Sequence, residues 1–340
     1  MSAASGPRRA RWLAVFSLAA FSLALAAIAT CAQPAQASTS RQWLTGDLDA
    51  AIATAKKANK RLFVKFEASW CGPCKRLGKL LEEQKGQAVM KGVLGVRVDF
   101  DSPANRKYIE RYVVLGLPTV MVIAPDGTQV SRINGYDNSE SWLAEARAAK
   151  AAQDPLPALE GAVRQKPSDP KAVLKLGKAL LVRKETKRGL ALLERVGWLT
   201  HRNDASRAKA ELAAEALFVL GRFHHRVRRD PATAQHVWRE LATRYPTSDF
   251  VGGAWWWYAR SQHELGRDDV ALAALRARVA KHPRSMSALG QWVSFSVKHK
   301  LTSEATPADA AINAAESGAS KTELERLKAM RGKLAALRTK

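Results

Sequence analysis

Cys71 and Cys74 are the residues of this chain best suited to covalent chemistry. They belong to the run Trp-Cys-Gly-Pro-Cys-Lys at 70–75, with two residues between the thiols. At this spacing the two sulfurs can close a disulfide with each other and exchange it with a disulfide of another molecule. The thiolate is the reactive form of cysteine, so the surrounding elements decide which sulfur attacks.

Two cysteines at this spacing are also half of a typical zinc site. A complete site needs a second pair, and the chain has only one further cysteine, Cys31. We therefore predict thiol–disulfide exchange at Cys71 and Cys74, with no bound metal and no cofactor.

The flanking sequence predicts a strand, a turn and a helix around the cysteines. An apolar run at 62–66 is typical of a buried strand, and residues 75–83 have helical spacing. Cys71 then lies at a helix N-terminus, where unpaired N–H groups and the helix dipole stabilise negative charge. Pro73 suits the first helical turn, where its missing N–H costs nothing. We expect Cys71 to attack and Cys74, in the same turn, to resolve the mixed disulfide.

The rest of residues 38–150 alternates between helical and extended patterns. The hairpin of the last two strands closes around a Pro-Asp-Gly turn at 125–127. Parallel strands joined by helices, with one hairpin, indicate an α/β sandwich. The predicted strands are 62–66, 93–98, 120–123 and 128–133, and the predicted helices are 47–58, 71–83, 105–112 and 139–150.

The run at 70–75 is the active-site motif of thioredoxins, and Gly-Leu-Pro-Thr at 116–119 resembles the second part of their site. Residues 41–150 resemble a thioredoxin domain throughout, and we place this domain at 38–150. The resemblance implies a cis-proline at 118 that shields the sulfurs and keeps metals away, and a residue 117 whose backbone pairs with a substrate strand. The supporting site residues that it implies are Trp70, Gly72, Pro73, Lys75, Leu117 and Pro118.

Lys65 departs from the family's pattern. Thioredoxins usually carry a buried aspartate six residues before the first active-site cysteine, and their partner lysine matches Arg97 here. Two cations cannot both be buried without partners. Glu67 lies on the same face of the strand as Lys65. Glu67 either pairs with Lys65 or replaces the missing base, so we include both residues in the candidate site; alternatively, Lys65 extends along its stem to solvent.

The N-terminal residues predict export. Arginines at 8, 9 and 11 precede an apolar run over 12–28, and Ala-Gln-Ala at 35–37 offers a cleavage site. This pattern predicts a signal peptide at 1–37 and an exported protein, in bacteria a periplasmic one. Two alternatives stay open, since the segment ending at Cys31 resembles a lipoprotein box and the apolar run is nearly long enough for a membrane anchor.

The net charge of the chain limits the classes of partner that it can be expected to bind. The chain carries 55 lysines and arginines against 31 aspartates and glutamates, a net charge of +24. That charge suits nucleic acid, an anionic membrane surface or acidic partners. The basic residues are spread along predicted helices, without a nucleic-acid-binding signature, so we interpret them as a solvated positive surface. We predict no nucleic-acid partner, whereas contact with a membrane stays open.

Beyond residue 150 the strand patterns stop and helix pairs recur. We place a proline-rich linker at 151–168, tetratricopeptide-like repeats at 169–300 and basic C-terminal helices at 301–340. The prolines that end two of the repeats are separated by nearly the ~34 residues of that repeat's period. Such repeats stack and leave a concave surface for a partner protein. We expect the final basic helix to cap the array; membrane-surface binding is the alternative.

Two groups of neighbouring side chains in the helical region, one of tryptophans and one of histidines, are of types that can bind a ligand or a metal. Trp255, Trp256 and Trp257 follow each other on one predicted helix, so at most two can line one surface, and we expect them to pack between repeats. His224 and His225 are adjacent and do not converge on one metal.

Two functions fit this organisation. The first is an exported thiol–disulfide oxidoreductase that reduces client disulfides and docks the client or a partner on its helical repeats. The second is a helical-repeat adaptor protein whose redox activity is secondary. The intact cysteine pair favours the first, because an adaptor does not need both cysteines. The partners predicted are proteins with thiols or disulfides, a protein bound by the repeats and an upstream electron donor in the membrane.

Overall fold

The computed structural model describes residues 43–44, 47–183, 185–198 and 206–338. The predicted signal peptide at 1–37 and the alternatives that involve Cys31 lie outside the described residues. Within those ranges, none of the helices combines the length and the apolar character needed to cross a membrane.

A five-stranded sheet forms the centre of the first half of the chain. Its order is β1-β3-β2-β4-β5, so β2, which leads to the cysteines, is the central strand. The four predicted strands are confirmed to within about a residue at each end, and a short edge strand, β1, adds to them. The strands are β1 Trp43–Leu44, β2 Leu62–Glu67, β3 Leu94–Asp99, β4 Thr119–Ile123 and β5 Gln129–Asn134.

β4 runs antiparallel to β2, whereas the sequence pattern predicts parallel strands up to the final hairpin. Only β1, β3 and β2 are mutually parallel. The α-helix between β3 and β4, Arg106–Arg111, has six residues, which makes it about 9 Å long. A six-residue strand spans about 20 Å. The helix therefore does not carry the chain back along the sheet, and β4 begins at the end where β3 finishes.

Helices cover both faces of the sheet and create two apolar cores. Leu62 and Phe66 of β2 point into one core, while Phe63 points into the other, against Leu77 of the helix after the cysteines. Burial on both faces explains the continuous apolar run of β2. The α/β fold predicted for this region is confirmed. Its helices are α1 Leu48–Lys57, α2 Gly72–Glu82, α3 Gln84–Met90, α4 Arg106–Arg111 and α5 Ser139–Ala151.

The second half of the chain is helical, as predicted, and each helix packs chiefly on its neighbours in sequence. One segment, Phe223–Arg228, is a π-helix that continues directly from the helix before it. The remaining helices are α6 Leu156–Gln165, α7 Pro170–Val182, α8 Thr186–Trp198, α9 Arg207–Arg222, α10 Pro231–Arg244, α11 Val251–Glu264, α12 Asp268–Lys281, α13 Met286–Lys298, α14 Ala305–Glu316 and α15 Lys321–Arg338.

The segment 151–168, predicted as a linker, contains α6 and is not a plain connection. Pro155 and Pro157 favour an irregular stretch in the sequence, but Pro155 is the N-cap residue of α6 and Pro157 lies in its first turn, where proline is tolerated. α6 packs against α7, so it extends the helical array by one element.

The last helix, α15, packs against α13 and α14. Leu327, Leu334 and Leu337 of its apolar stripe are buried, and Leu324 remains exposed. Most of the stripe is therefore covered by the array itself, which agrees with the expected capping role.

The sheet domain and the helical array pack directly on each other. Val113, in the connection to β4, belongs to the same apolar cluster as core residues of α7 to α11. Arg222 Nε of α9 donates to the carbonyl oxygen of Leu115 at 2.6 Å. In the other direction, Arg106 donates to the carbonyl oxygens of residues 226 and 227 at 2.9 and 2.6 Å. These contacts place the π-helix beside the sheet domain.

Candidate active site

The cysteine pair lies where β2 passes into α2. Cys71 and Cys74 form a disulfide, and their Cα atoms are 5.2 Å apart. Cys71 is the N-cap residue of α2, and its sulfur accepts the N–H of Cys74 at 3.2 Å. Pro73 lies in the first turn, where no intrahelical donor is needed. The strand–turn–helix arrangement predicted around the motif is confirmed.

The surroundings of the disulfide are apolar. Cys71 is 3% exposed and Cys74 1%, so their exposure in the disulfide form differs little. Ala68, Phe100 and Leu117 pack against them. An apolar environment disfavours a thiolate. The hydrogen bond from the Cys74 N–H and the start of the helix dipole offset that cost at Cys71, which supports its expected role as the attacking sulfur.

The peptide bond between Leu117 and Pro118 is cis, as the family resemblance implied. Pro118 is buried and Leu117 is half-buried. Thr119, the next residue, donates from its hydroxyl to the carbonyl oxygen of Gly116 at 2.8 Å, which closes a tight local turn. The side chain of Leu117 thus brings the segment 116–119 into contact with the disulfide.

Trp70 extends from the site into solvent and is 60% exposed. Its indole Nε1 donates to Asp101 Oδ2 at 2.5 Å. Asp101 and Phe100, which packs against the cysteines, lie at the candidate site, and the sequence analysis did not select them. Both follow β3, which is the parallel neighbour of β2. Because the carboxyl ends of adjacent parallel strands meet at one edge of a sheet, this position was the available signal.

Lys65 lies beneath the first turn of α2 and is 1% exposed. Its ammonium group pairs with the carboxylate of Glu67 and lies 3.2 Å from the carbonyl oxygen of Cys74. The alternative in which Lys65 reaches solvent is wrong, because α2 covers this face of the central strand. Burial lowers the pKa of Lys65, and the hydrogen bond to Glu67 raises it only in part.

Arg97, the second cation of the expected pair, is placed differently. Its side chain is 42% exposed, and its guanidinium lies 4.9 Å from the centre of the Trp43 ring. Its Nε is 4.0 Å from Glu67. The two cations are therefore not buried together, because Lys65 is buried and paired with Glu67 while Arg97 remains at the surface.

A cavity of about 500 Å³ opens beside Cys74, and Lys65, Glu67 and Arg97 contribute to its lining. Glu67 is half-buried, so its carboxylate contacts the buried ammonium group of Lys65 and can also be reached by water. This position is compatible with proton exchange between the site and solvent. The role of Glu67 as the base that serves Cys74 stays a prediction.

Gly72 and Lys75 complete the predicted set, and both are exposed. The N–H of Lys75 donates to the carbonyl oxygen of Cys71 at 3.1 Å, which belongs to the first turn of α2. The structure therefore brings Trp70, Lys65, Glu67, Leu117 and Pro118 around the cysteines, and leaves the side chain of Lys75 at the surface.

The histidines and the tryptophans singled out in the helical array lie in different surroundings. His225 is buried, with Nδ1 3.0 Å from Ser261 Oγ and Nε2 3.2 Å from Glu264 Oε1. Over the ranges that the structure covers, no three histidine, cysteine or acidic side chains gather as metal ligands. Trp257 is buried, whereas Trp255 and Trp256 are half-buried. Packing in the array accounts for Trp257, as expected for this run.

The known proteins that resemble this chain match it over the sheet domain. Residues 48–150 match the model of the thioredoxin-like domain family. The chain is 34% identical over 91 residues to a thioredoxin of Mycolicibacterium smegmatis, a match that covers 26% of this chain and 77% of that protein. It is also 34% identical over 87 residues to the thiol:disulfide interchange protein DsbD 1 of Pseudomonas aeruginosa, covering 25% of this chain and 15% of that protein.

Among solved structures, a thioredoxin from Thermus thermophilus aligns with 38% of this chain and 96% of its own, at 20% identity and a TM-score of 0.30. The family match ends at residue 150. The helical array lies beyond that match.

Proposed function

Because the chain belongs to the thioredoxin family through residues 48–150, we propose that it is an exported thiol–disulfide oxidoreductase that reduces the disulfides of client proteins. The observation that carries the proposal is the Cys71–Cys74 disulfide, whose first sulfur caps the active-site helix. An oxidoreductase of this family needs this bond to form and break in each cycle.

The reaction consists of two exchanges. The thiolate of Cys71 attacks one sulfur of the client disulfide, forms a mixed disulfide and releases the other client sulfur as a thiolate. The thiolate of Cys74 then attacks the sulfur of Cys71, which closes the Cys71–Cys74 disulfide and releases the second client sulfur as a thiolate. The two client thiolates take up the two protons that the cysteines gave to solvent. Two electrons pass to the client. A dithiol protein in the membrane then returns two electrons and two protons to this chain.

The direction of electron flow is supported by the residues around the sulfurs. The Gly-Pro dipeptide between the cysteines and the apolar Leu117 resemble reducing thioredoxins. Leu117 packs against the disulfide, so it offers the sulfurs no polar partner. We therefore expect a reductase, and not a donor of disulfides.

Export is supported by the sequence pattern over residues 8–37 and by the likeness to a thiol:disulfide interchange protein. The charge pattern, the apolar run and the small-residue site are those of a secretory signal. A periplasmic location fits a chain whose cysteine pair faces oxidised clients.

The helical array is proposed to dock the client or a partner protein. It packs on the sheet domain next to the π-helix, so a protein held by it lies close to the disulfide. Holding the client near Cys71 raises its effective concentration there. The adaptor function remains the alternative, and it predicts that loss of both cysteines leaves the cellular role intact.

The reduction potential of the full chain tests the proposal. We expect a value near the about −270 mV of thioredoxin, and not the about −120 mV of a strong oxidant. Equilibration with glutathione, followed by mass spectrometry of the alkylated cysteines, gives this value. A potential above about −180 mV, the range of isomerases, would contradict a reductase. The double variant C71S/C74S is the control, and full cellular activity of that variant would favour the adaptor.

A further inference from the structure

A cleft of about 880 Å³ lies between the disulfide end of the sheet domain and the helical array. The sheet domain contributes Trp70 and Phe100, which border the cysteines, and the array contributes residues of the π-helix, α11 and α13. Because Trp70 belongs to both the active site and the cleft, a chain bound in the cleft lies beside Cys71. We call this space the cationic cleft, because of the side chains described next.

Five basic side chains line the cationic cleft, against two carboxylates. Arg226 and Arg260 are half-buried, and their guanidinium groups lie 4.9 and 4.8 Å from the centre of the Trp257 ring. Arg229 and Lys298 are exposed at the rim. Like charges in one partly desolvated space repel each other. The cleft therefore carries an electrostatic cost that a bound anion would remove.

Arg226 shows this cost most directly. Its Nη1 is buried and has no hydrogen-bond partner among the described residues. Burial lowers the pKa of Arg226 to about 10, and the charge of Arg260 adds to the effect. The guanidinium lies between two aromatic faces, with Phe100 at 5.1 Å on the sheet-domain side. A buried donor of this kind stays unsatisfied unless water or a ligand supplies the acceptor.

The two carboxylates of the cleft are already engaged. Asp101 accepts the indole N–H of Trp70. Glu264 accepts from His225 and lies 3.3 Å from Arg260. Burial opposes ionisation of Glu264, but the hydrogen bond and charge of His225, with Arg260, outweigh it and lower the pKa of Glu264. The acceptors present in the cleft therefore do not satisfy its remaining donors.

A solvated positive face does not explain this arrangement. Basic residues on such a face extend into water, whereas Arg226 and Arg260 lie along the walls of a cleft against indole rings. The aromatic side chains of the cleft also favour a bound peptide, because Trp70, Phe100 and Trp256 offer apolar surface beside the charges.

We propose that the cationic cleft binds an acidic segment of the client protein, next to the cysteine that Cys71 attacks. The inference rests on the proposed function, of which it names the substrate class: proteins with aspartate or glutamate residues close to their disulfide. Charge complementarity selects this occupant, since carboxylates would accept from Arg226 and pair with Arg229 and Lys298.

The test uses the full chain and a rim variant that keeps the fold. R229Q/K298Q removes two exposed charges from the cleft. The matched control K175Q/K187Q removes two exposed charges from α7 and α8, outside the cleft. R226Q is a further variant, which removes the buried unpaired donor. Because the chain has a high net charge, only a difference between the rim variant and the control identifies the cleft.

The probes are three synthetic peptides that share one disulfide ring and differ in a tail of six Glu, six Gln or six Lys. With the reduced wild-type chain at low salt, we expect kcat/KM for the Glu peptide to exceed that for the Gln peptide roughly tenfold. We expect R229Q/K298Q and R226Q to lower that preference to about twofold and K175Q/K187Q to keep it, the preference being the ratio of the two peptides' kcat/KM values within one chain. High salt should reduce the preference.

Equal rates for the Glu and Gln peptides in the wild type, or equal losses in the rim variant and the control, would overturn the inference. Reduction of oxidised glutathione with the same dependence on the rim would also overturn it, because the occupant would then be a small anion. Binding of cysteine-free peptides, followed by fluorescence anisotropy, separates this inference from the proposed function. If the Glu peptide binds through the rim residues but no peptide is reduced, the proposed binding role of the cleft is supported and the proposed reductase activity is wrong.

Discussion

The ammonium nitrogen of Lys65 lies 3.2 Å from the carbonyl oxygen of Cys74, inside the sheet domain. On its other side it pairs with Glu67, which is half-buried. A buried cation thus connects a carboxylate in contact with water to the first turn of the active-site helix. Positive charge below this turn stabilises a thiolate within it, and therefore stabilises the reduced protein.

Replacing Lys65 by methionine should raise the pKa of Cys71 and make the domain more reducing. Glu67 already offsets part of the charge, so we expect the pKa of Cys71 to rise by less than the loss of an unpaired lysine would cause. The ultraviolet absorbance of the thiolate against pH gives the value. Lys75→Met is the matched control, because Lys75 is exposed. An equal change in both variants would mean that Lys65 has no special effect on the sulfurs.

Lys65 should also make stability depend on alkaline pH. Burial lowers the pKa of Lys65, so the folded chain releases this proton before the unfolded chain does. The cost of the buried charge is present in full below the lowered pKa and shrinks as pH rises towards the ordinary value of 10.5. The free energy of unfolding of the wild type should therefore rise relative to that of Lys65→Met in this window. Urea denaturation of both proteins measures it, and a constant difference would contradict it.

The two cysteines should differ in trapping. Cys74→Ser should leave client proteins covalently attached to Cys71, since the resolving sulfur is absent. Cys71→Ser should trap few clients, because Cys74 lies inside the first turn of the helix, whereas Cys71 is its N-cap residue. Non-reducing gels of cells that express each variant compare them. Equal yields of trapped protein would show that the roles of the two sulfurs are not distinct.

Acid should destabilise the protein through His299. Burial lowers the pKa of His299 to about 4, and the neighbouring His263, whose ring centre is 3.6 Å away, adds to this. The unfolded chain takes up the proton first, so stability should fall as pH drops from 6.5 towards 4 and this loss should then stop. We expect about 1 kcal/mol, because the ring is only half-buried. His299→Phe should flatten the dependence; an unchanged profile of unfolding free energy would contradict this.

Arg106 should stabilise the contact between the two halves of the chain. It donates to the carbonyl oxygens of residues 226 and 227, so Arg106→Ala leaves two partly buried acceptors without this donor. We expect a loss of about 1–3 kcal/mol in the free energy of unfolding. Arg111→Ala is the control in the same helix, since its pair with Asp49 is at the surface and is worth roughly 0.5 kcal/mol. Similar losses in both variants would count against the contact.

Local features of the active site could be predicted from the sequence because they depend on residues close together in the chain. The spacing of Cys71 and Cys74 after an apolar run identifies the strand, the turn and the N-cap sulfur. Pro118 and its cis bond followed from a motif. The buried Lys65 with its Glu67 partner was one of the alternatives, and only the packing of α2 over the strand decides between them.

Relationships between distant residues could not be predicted in this way. The direction of β4 depends on the end of the sheet at which the connection from β3 returns the chain, and no local pattern gives this. The hydrogen bond from Trp70 to Asp101 joins residues that follow two different strands. The contacts of Arg106 with the π-helix join residues more than a hundred positions apart. No periodic pattern marks such pairs, because each depends on how complete elements are arranged.

The packing of the π-helix on the sheet domain also has a consequence for biosynthesis. Leu115 receives its hydrogen bond from Arg222, and Val113 is covered by the cluster to which α9 to α11 contribute. A chain made from its N-terminus therefore completes the sheet long before these covering residues exist. During that interval the apolar surface around Val113 is open to chaperones and to other nascent chains. Proteolysis of ribosome-bound chains of increasing length should show the connection before β4 becoming resistant only once α11 has emerged.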